Sequence, residues 1–71
     1  MIAMERRIGD TVHVAQDARG ERTGPRVRGW MGTVVDRRDY DEGGLHYFLR
    51  FDVPGRTVFF DWLPADSLLD D

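Results

Sequence analysis

The stretch that decides the fold is LHYFLRFDVPGRTVFFDW, residues 45–62. Its first half places apolar side chains at every second position, which is typical of a half-buried β-strand. The residues on that apolar face are Leu45, Tyr47, Leu49, Phe51 and Val53. Pro54-Gly55 follows as a turn signal, because proline presets the first corner and glycine accepts the positive φ of the second. The pattern therefore predicts a tight β-hairpin whose return strand spans residues 56–62.

Val58, Phe60 and Trp62 share one face of the return strand, and the alternation places Val58 and Phe60 in the core. Phe48 and Phe59 fall on the other face of their strands. These two rings indicate either a second apolar patch inside the protein or an aromatic surface, and the sequence leaves both interpretations open.

Three more β segments are predicted outside the hairpin. Residues 11–15 alternate as a half-buried strand. Residues 27–36 form a β-rich run that should bend, because Gly29 and Gly32 interrupt it and interior strand glycines mark bulges or close backbone approaches. Residues 63–69 predict a single 3₁₀ turn that leads into a short last strand.

Two connections separate these strands: a long polar loop at residues 16–28 and a turn within residues 36–44. No 11-residue window shows the periodicity of an amphipathic helix. Five short strands bury both faces only if their sheet curls, so the fold class is all-β and the architecture a small, partly open, five-stranded barrel. The predicted core residues are Val12, Val14, Val34, Leu49, Phe51, Val58, Phe60 and Leu68.

Four segments carry a resemblance to a known family: GD-x-V-x-V at residues 9–14, GWMGTVV at 29–35, Y-x-L-x-FD at 47–52 and WLPAD-x-L at 62–68. Together they resemble the SH3-like β-barrel proteins over nearly the whole chain. The resemblance implies an SH3-like barrel with a long first loop and a 3₁₀ turn before the last strand. It is nearest to small bacterial accessory subunits, such as the variable chain of ferredoxin–thioredoxin reductase and a nitrogenase-associated assembly protein, and to KOW-type modules.

One departure from that family concerns the ligand. Peptide-binding SH3 domains carry an acidic-aromatic motif on their long loop, and residues 15–28 lack it. Their proline-rich ligand is therefore not expected here.

The length of 71 residues predicts a single domain over residues 1–71, with residues 1–7 flexible and residues 70–71 an acidic tail. No apolar run reaches the roughly 18 residues of a membrane span, and the first residues lack a signal-peptide pattern. A cytoplasmic protein without membrane contact is expected.

Catalytic and metal chemistry have few candidate residues. The chain has no cysteine, which excludes disulfides, thiolate nucleophiles and Cys-based metal sites. Ser67 is the only serine, and His13 and His46 lie on predicted outer strand faces without ligand spacing. We therefore expect no enzyme activity, no cofactor and no metal.

The charge is unevenly distributed, and every basic residue is arginine. Residues 19–38 carry six arginines against two acids, a sum of +4, whereas residues 39–71 carry two arginines against eight acids, a sum of −6. The basic segment indicates either an anionic partner or a solvated loop that pairs with the protein's own acids.

These features predict an accessory or regulatory module that docks on a larger protein, or forms a homodimer, through the long loop and the aromatic surface. Arginine and the aromatic residues are the types that anchor interfaces. The predicted partner-binding residues are Arg19, Arg22, Arg26, Arg28, Trp30, Phe48, Phe59 and Trp62.

Nucleic-acid binding is the alternative, because small barrels bind phosphates with arginines and stack bases on aromatic rings. The residues predicted for this alternative are Arg26, Arg28, Arg37, Arg38 and Tyr40. The net charge of −3 and the sequence pI of about 5.2 count against it.

Overall fold

A computed structural model describes residues 6–69. The acidic tail and most of the segment predicted to be flexible lie outside the described residues. The strands are β1 (Thr11–Val14), β2 (Met31–Tyr40), β3 (Gly44–Phe51), β4 (Phe59–Pro64) and β5 (Leu68–Leu69), with 3₁₀ turns at Pro25–Val27 and Ala65–Ser67. The all-β prediction and the predicted 3₁₀ turn before the last strand are confirmed. In the described part of the chain, no helix is long and apolar enough to cross a membrane.

The five strands form one antiparallel sheet in the order β4-β3-β2-β1-β5, curved into a half-barrel. Strand β2 belongs to both halves of the sheet, because its first residues pair with β1 and the rest pair with β3. The register shifts between Val34 and Asp36, which leaves Val35 as an extra residue in β2. Such an inserted residue bends a strand and increases its twist. The bend predicted for this strand is therefore present. It lies at Val35, further along the chain than Gly29 and Gly32, from which it was predicted.

Gly32 allows β2 to lie close to a core side chain. A Cβ atom at this position would lie 2.8 Å from a ring carbon of Phe51. Any larger residue at position 32 would push the Phe51 ring out of place.

The core fills the concave face of the half-barrel. Strand β3 contributes Tyr47, Leu49 and Phe51, all fully buried, so its predicted alternation is confirmed. The other buried apolar residues are Val12, Val14, Ala18, Val27, Val34, Leu63, Ala65 and Leu68. Six of the eight predicted core residues are therefore buried.

Val58 and Phe60 are the exceptions, and their placement in the core is wrong: their side chains are 42% and 41% exposed. The turn at Pro54-Gly55 does form, with the Arg56 N–H donating to the Val53 carbonyl at 3.0 Å. Residues 56–58 do not pair with β3, and the return strand β4 begins only at Phe59.

The register of β4 follows from this late start. Phe59 lies opposite Phe51 and Leu63 lies opposite Tyr47. Phe59, Asp61 and Leu63 therefore share the core-facing side of β4, and the alternation turns Phe60 and Trp62 to the outside. A one-residue difference in strand phase exchanges the two faces completely.

Arg6 attaches the segment before β1 to the half-barrel. Its backbone N–H donates to the Tyr47 hydroxyl at 2.7 Å, and its guanidinium donates to the Leu68 carbonyl at 3.1 Å. The side chain is buried. The residue therefore ties the N-terminal segment to both β3 and β5.

Truncation of a side chain should lower the unfolding free energy by different amounts on the two faces of the hairpin. Phe51→Ala should cost about 3–5 kcal/mol of unfolding free energy, because it opens a cavity in the core. Phe60→Ala should cost about 1 kcal/mol, because its ring is exposed and loses mainly one stacking contact. Urea denaturation followed by circular dichroism measures both, and equal losses for the two variants would contradict the β4 register.

Candidate interaction surface

The outer face of β2, β3 and β4 carries a row of aromatic and cationic side chains. Strand alternation turns these residues away from the core, since their neighbours Tyr47, Leu49 and Leu63 point into it. We call this row the aromatic strip; its members are Arg38, Tyr40, His46, Phe48, Phe60 and Trp62.

Phe48 lies at the centre of the aromatic strip. Its ring stacks on Phe60 with centroids 5.5 Å apart and an interplanar angle of 18°. The centroid of the Trp62 ring lies 4.8 Å from that of Phe48, at an interplanar angle of 34°. Phe48 and Trp62 are directly opposite residues on paired strands, and such cross-strand aromatic pairs stabilise a sheet.

Arg38 extends the aromatic strip onto β2. Its guanidinium carbon lies 5.4 Å from the centre of the Trp62 ring and 5.9 Å from that of Tyr40. Tyr40 in turn meets His46 edge-on, with ring centroids 4.9 Å apart. These contacts join all six side chains into one continuous surface that crosses three strands.

A buried carboxylate positions the long loop beside this surface. Asp61 is fully buried, and its oxygens accept hydrogen bonds from the N–H and hydroxyl of Thr23 at 2.8 and 2.6 Å. The N–H of Arg22 donates to both oxygens at 3.1 Å, and the N–H of Trp62 donates at 2.8 Å. Hydrogen bonds of this kind offset the cost of burying a charge.

The loop tip is shaped to present these amides. Gly20 and Gly24 pair with each other through two backbone hydrogen bonds of 2.9 and 3.0 Å, which close a small turn around Arg22 and Thr23. A Cβ atom on Gly20 would collide with the carboxylate of Asp61. Gly24 has φ of +59°, a conformation that favours glycine. Gly20 is therefore required by the approach of the loop to Asp61, and Gly24 by the backbone conformation of the turn.

The anchored loop tip forms one wall of a groove at the start of β4. The groove has a volume of about 350 Å³ and is lined by Arg22, Thr23, Arg26, Val58, Phe59 and Phe60. We call it the basic groove. Within residues 6–69, the guanidinium groups of Arg22 and Arg26 form no ion pair. The basic groove and the aromatic strip meet at Phe60.

The structure brings only part of the predicted partner-binding set together. Phe48 and Trp62 lie in the aromatic strip, whereas Arg22, Arg26 and Phe59 line the basic groove.

The other three predicted residues lie outside this surface. Trp30 is half-buried and packs on Phe51 and Phe59, with centroids 5.9 and 6.0 Å apart. The Nε of Arg28 donates to the Ala18 carbonyl at 2.7 Å, inside the loop. Arg19 is exposed but lines neither the strip nor the groove.

Sequence reasoning missed four residues of the aromatic strip for protein docking: Arg38, Tyr40, His46 and Phe60. Phe60 was missed because the return strand was assigned the wrong face. The one available signal was Asp61, since a carboxylate in an apolar strand must either point to solvent or find several donors.

The residues predicted for nucleic-acid binding are divided among separate places. Arg38 and Tyr40 belong to the aromatic strip, and Arg26 lines the basic groove. Arg28 is engaged within its loop. Arg37 points to the other face of β2, where it lines a hollow of about 580 Å³ together with Arg6, Arg7 and Ile8.

Comparison of the chain with protein families, with curated proteins and with solved structures finds no match. In the part of the chain that the structure describes, no three histidine, aspartate or glutamate side chains converge as metal ligands would.

The role of Asp61 predicts a large effect for a nearly isosteric change. Asp61→Asn should lower the unfolding free energy by about 2–3 kcal/mol, because an amide cannot accept all the hydrogen bonds that the carboxylate receives. Asp52→Asn is the matched control. Asp52 is exposed and pairs with Arg50 at 3.1 Å, so its loss should cost less than about 1 kcal/mol. Urea denaturation compares the two, and a similar small loss in both would remove Asp61 as the anchor of the loop.

Proposed function

We propose that this chain is a non-catalytic interaction module with an SH3-like barrel, which docks on a larger protein through the aromatic strip and the basic groove. The five strands, the long loop after β1 and the 3₁₀ turn before β5 support the SH3-like assignment, since they agree with the arrangement that the sequence resemblance implies.

The observation that carries the proposal is the stack that the exposed ring of Phe60 forms with the half-buried rings of Phe48 and Trp62. A ring such as Phe60 at 41% exposure leaves apolar area in water that a partner would cover, at about 25 cal/mol per Å². Trp, aromatic residues in general and Arg are enriched at the centres of interfaces. The strip combines these residue types on a rigid sheet, so little conformational entropy is lost when a partner binds.

Single-stranded nucleic acid is a second candidate, and the position of Arg38 favours it. A guanidinium beside Trp62 and Tyr40 is an arrangement on which a base could stack while its phosphate pairs with the arginine. Of the five residues predicted for this role, Arg28 and Arg37 lie away from both the strip and the groove. The protein-docking proposal therefore has the stronger geometric support.

A photo-crosslinking experiment tests the docking surface. We expect p-benzoylphenylalanine at position 60 to capture a defined protein in the native host. The same group at position 8 should not capture it, because Ile8 is 63% exposed but lies outside the strip and the groove. The captured protein, once purified, should bind the unmodified chain and lose about tenfold or more in affinity for Trp62→Ala, since interface tryptophans typically contribute over 1.4 kcal/mol.

Equal capture from both positions, or unchanged affinity of Trp62→Ala, would contradict the proposal. Labelled single-stranded DNA and RNA form the second arm, at about 50 mM salt where phosphate contacts are strongest. Binding of the oligonucleotides that Arg38→Ala abolishes, in the absence of any protein capture, would select the nucleic-acid candidate instead.

A further inference from the structure

The edge of β4 is covered unevenly by the rest of the chain. The Trp62 carbonyl accepts a hydrogen bond from the Glu21 N–H at 3.3 Å, and the Trp62 N–H donates to the Asp61 carboxylate. The backbone groups of Trp62 therefore point away from β3, towards the open edge. The loop tip covers the edge at this position.

Phe60 has the same backbone orientation as Trp62, because N–H and C=O groups two residues apart in a strand point to the same side. Its N–H and C=O therefore face the edge as well. Among residues 6–69, no loop or turn backbone group pairs with them. Pro64, at the far end of β4, has no N–H to offer. The edge of β4 is thus open for pairing beside Phe60 and closed further along.

The basic groove lies at this open part of the edge. Its walls are lined by Arg22 and Arg26 on the loop side and by Val58 and Phe60 on the strand side, and all four residues are exposed. Natural proteins usually protect an open edge with charges on the strand itself, with proline or with a bulge. Here the charged residues that line the groove, Arg22 and Arg26, belong to the loop and not to β4, so they frame the edge and do not block it.

We propose that the basic groove binds a short acidic segment of a partner protein in an extended conformation, which adds as a strand to the edge of β4 at Phe60. This inference rests on the proposed function and specifies the chemistry of the partner. The open edge requires a ligand with backbone amides, and the two arginines require carboxylates. Val58 and Phe60 select apolar side chains on the other face of the ligand.

The geometry therefore defines a pattern for the ligand. In an extended peptide, alternate side chains point to opposite sides, so acidic and apolar residues should alternate over about five residues. A nucleic acid has the negative charge but not the alternating amide donors and acceptors. The edge thus favours a polypeptide.

An NMR titration tests this inference with the probe peptide acetyl-Asp-Val-Asp-Val-Asp-amide and the ¹⁵N-labelled chain at low salt. We expect the largest shift changes at the Phe60 amide and at the side-chain Nε–H groups of Arg22 and Arg26. A peptide with lysine in place of aspartate should not bind. A peptide N-methylated at the backbone positions that would face β4 should lose about tenfold or more in affinity, because it lacks the edge hydrogen bonds.

Matched variants of the same loop separate charge from folding. Arg22→Gln combined with Arg26→Gln should lower the affinity for the probe about tenfold or more, since two charge-assisted contacts are removed. Arg19→Gln should leave it unchanged, because Arg19 lies outside the groove. Neither change touches the backbone bonds to Asp61, and the spectrum of each variant reports whether its fold is retained.

Each other outcome overturns the inference in a distinct way. Shift changes confined to Phe48 and Trp62 would place the peptide on the aromatic strip, which refutes strand addition and retains the docking proposal. Equal binding of the lysine peptide, or no binding of the acidic one, would refute the acidic ligand, while capture from position 60 would still support protein docking. Concentration-dependent shifts of Phe60 without peptide would identify a second copy of this chain as the occupant.

Discussion

The buried carboxylate of Asp61 is the interaction on which the rest of the structure depends. An ionised side chain without partners in a protein interior costs several kcal/mol. Here it receives hydrogen bonds from Arg22, Thr23 and Trp62, and two of these residues belong to a loop 38 and 39 positions away in sequence. The carboxylate thus joins the long loop to β4. These hydrogen bonds form only when the loop and the strand are both folded.

The two faces of β4 follow from this one placement. Because side chains alternate along a strand, a core-facing Asp61 turns Phe60 and Trp62 outward. The same hydrogen bonds hold Arg22 at the wall of the groove next to Phe60. The anchor inside the protein and the aromatic and basic surface outside it are therefore consequences of a single strand phase, and a sequence change at Asp61 should disturb both together.

Much of the fold could be predicted from local pattern. Strand β3 alternates strictly, and the face with Tyr47, Leu49 and Phe51 is clearly more apolar than the opposite face. The residues around Pro64 are typical of a turn. Strand β4 has no such contrast. Val58, Phe60 and Trp62 on one side compete with Phe59 and Leu63 on the other, and Asp61 makes the second side look polar. The donors that allow Asp61 to be buried lie in a distant loop, and no local pattern reveals them.

The candidate site shows the same limit. Phe48 and Trp62 could be predicted as partner-binding residues from residue type, but their contact with Phe60 and Arg38 depends on the phase of β4 and on the extra residue in β2. Hydrogen exchange of the native protein tests the central interaction most directly. We expect the Arg22 and Thr23 amides to exchange far more slowly than the Arg19 amide in the same loop, at rates approaching those of β3. Exchange of Thr23 as fast as that of Arg19 would show that the loop is not held by Asp61.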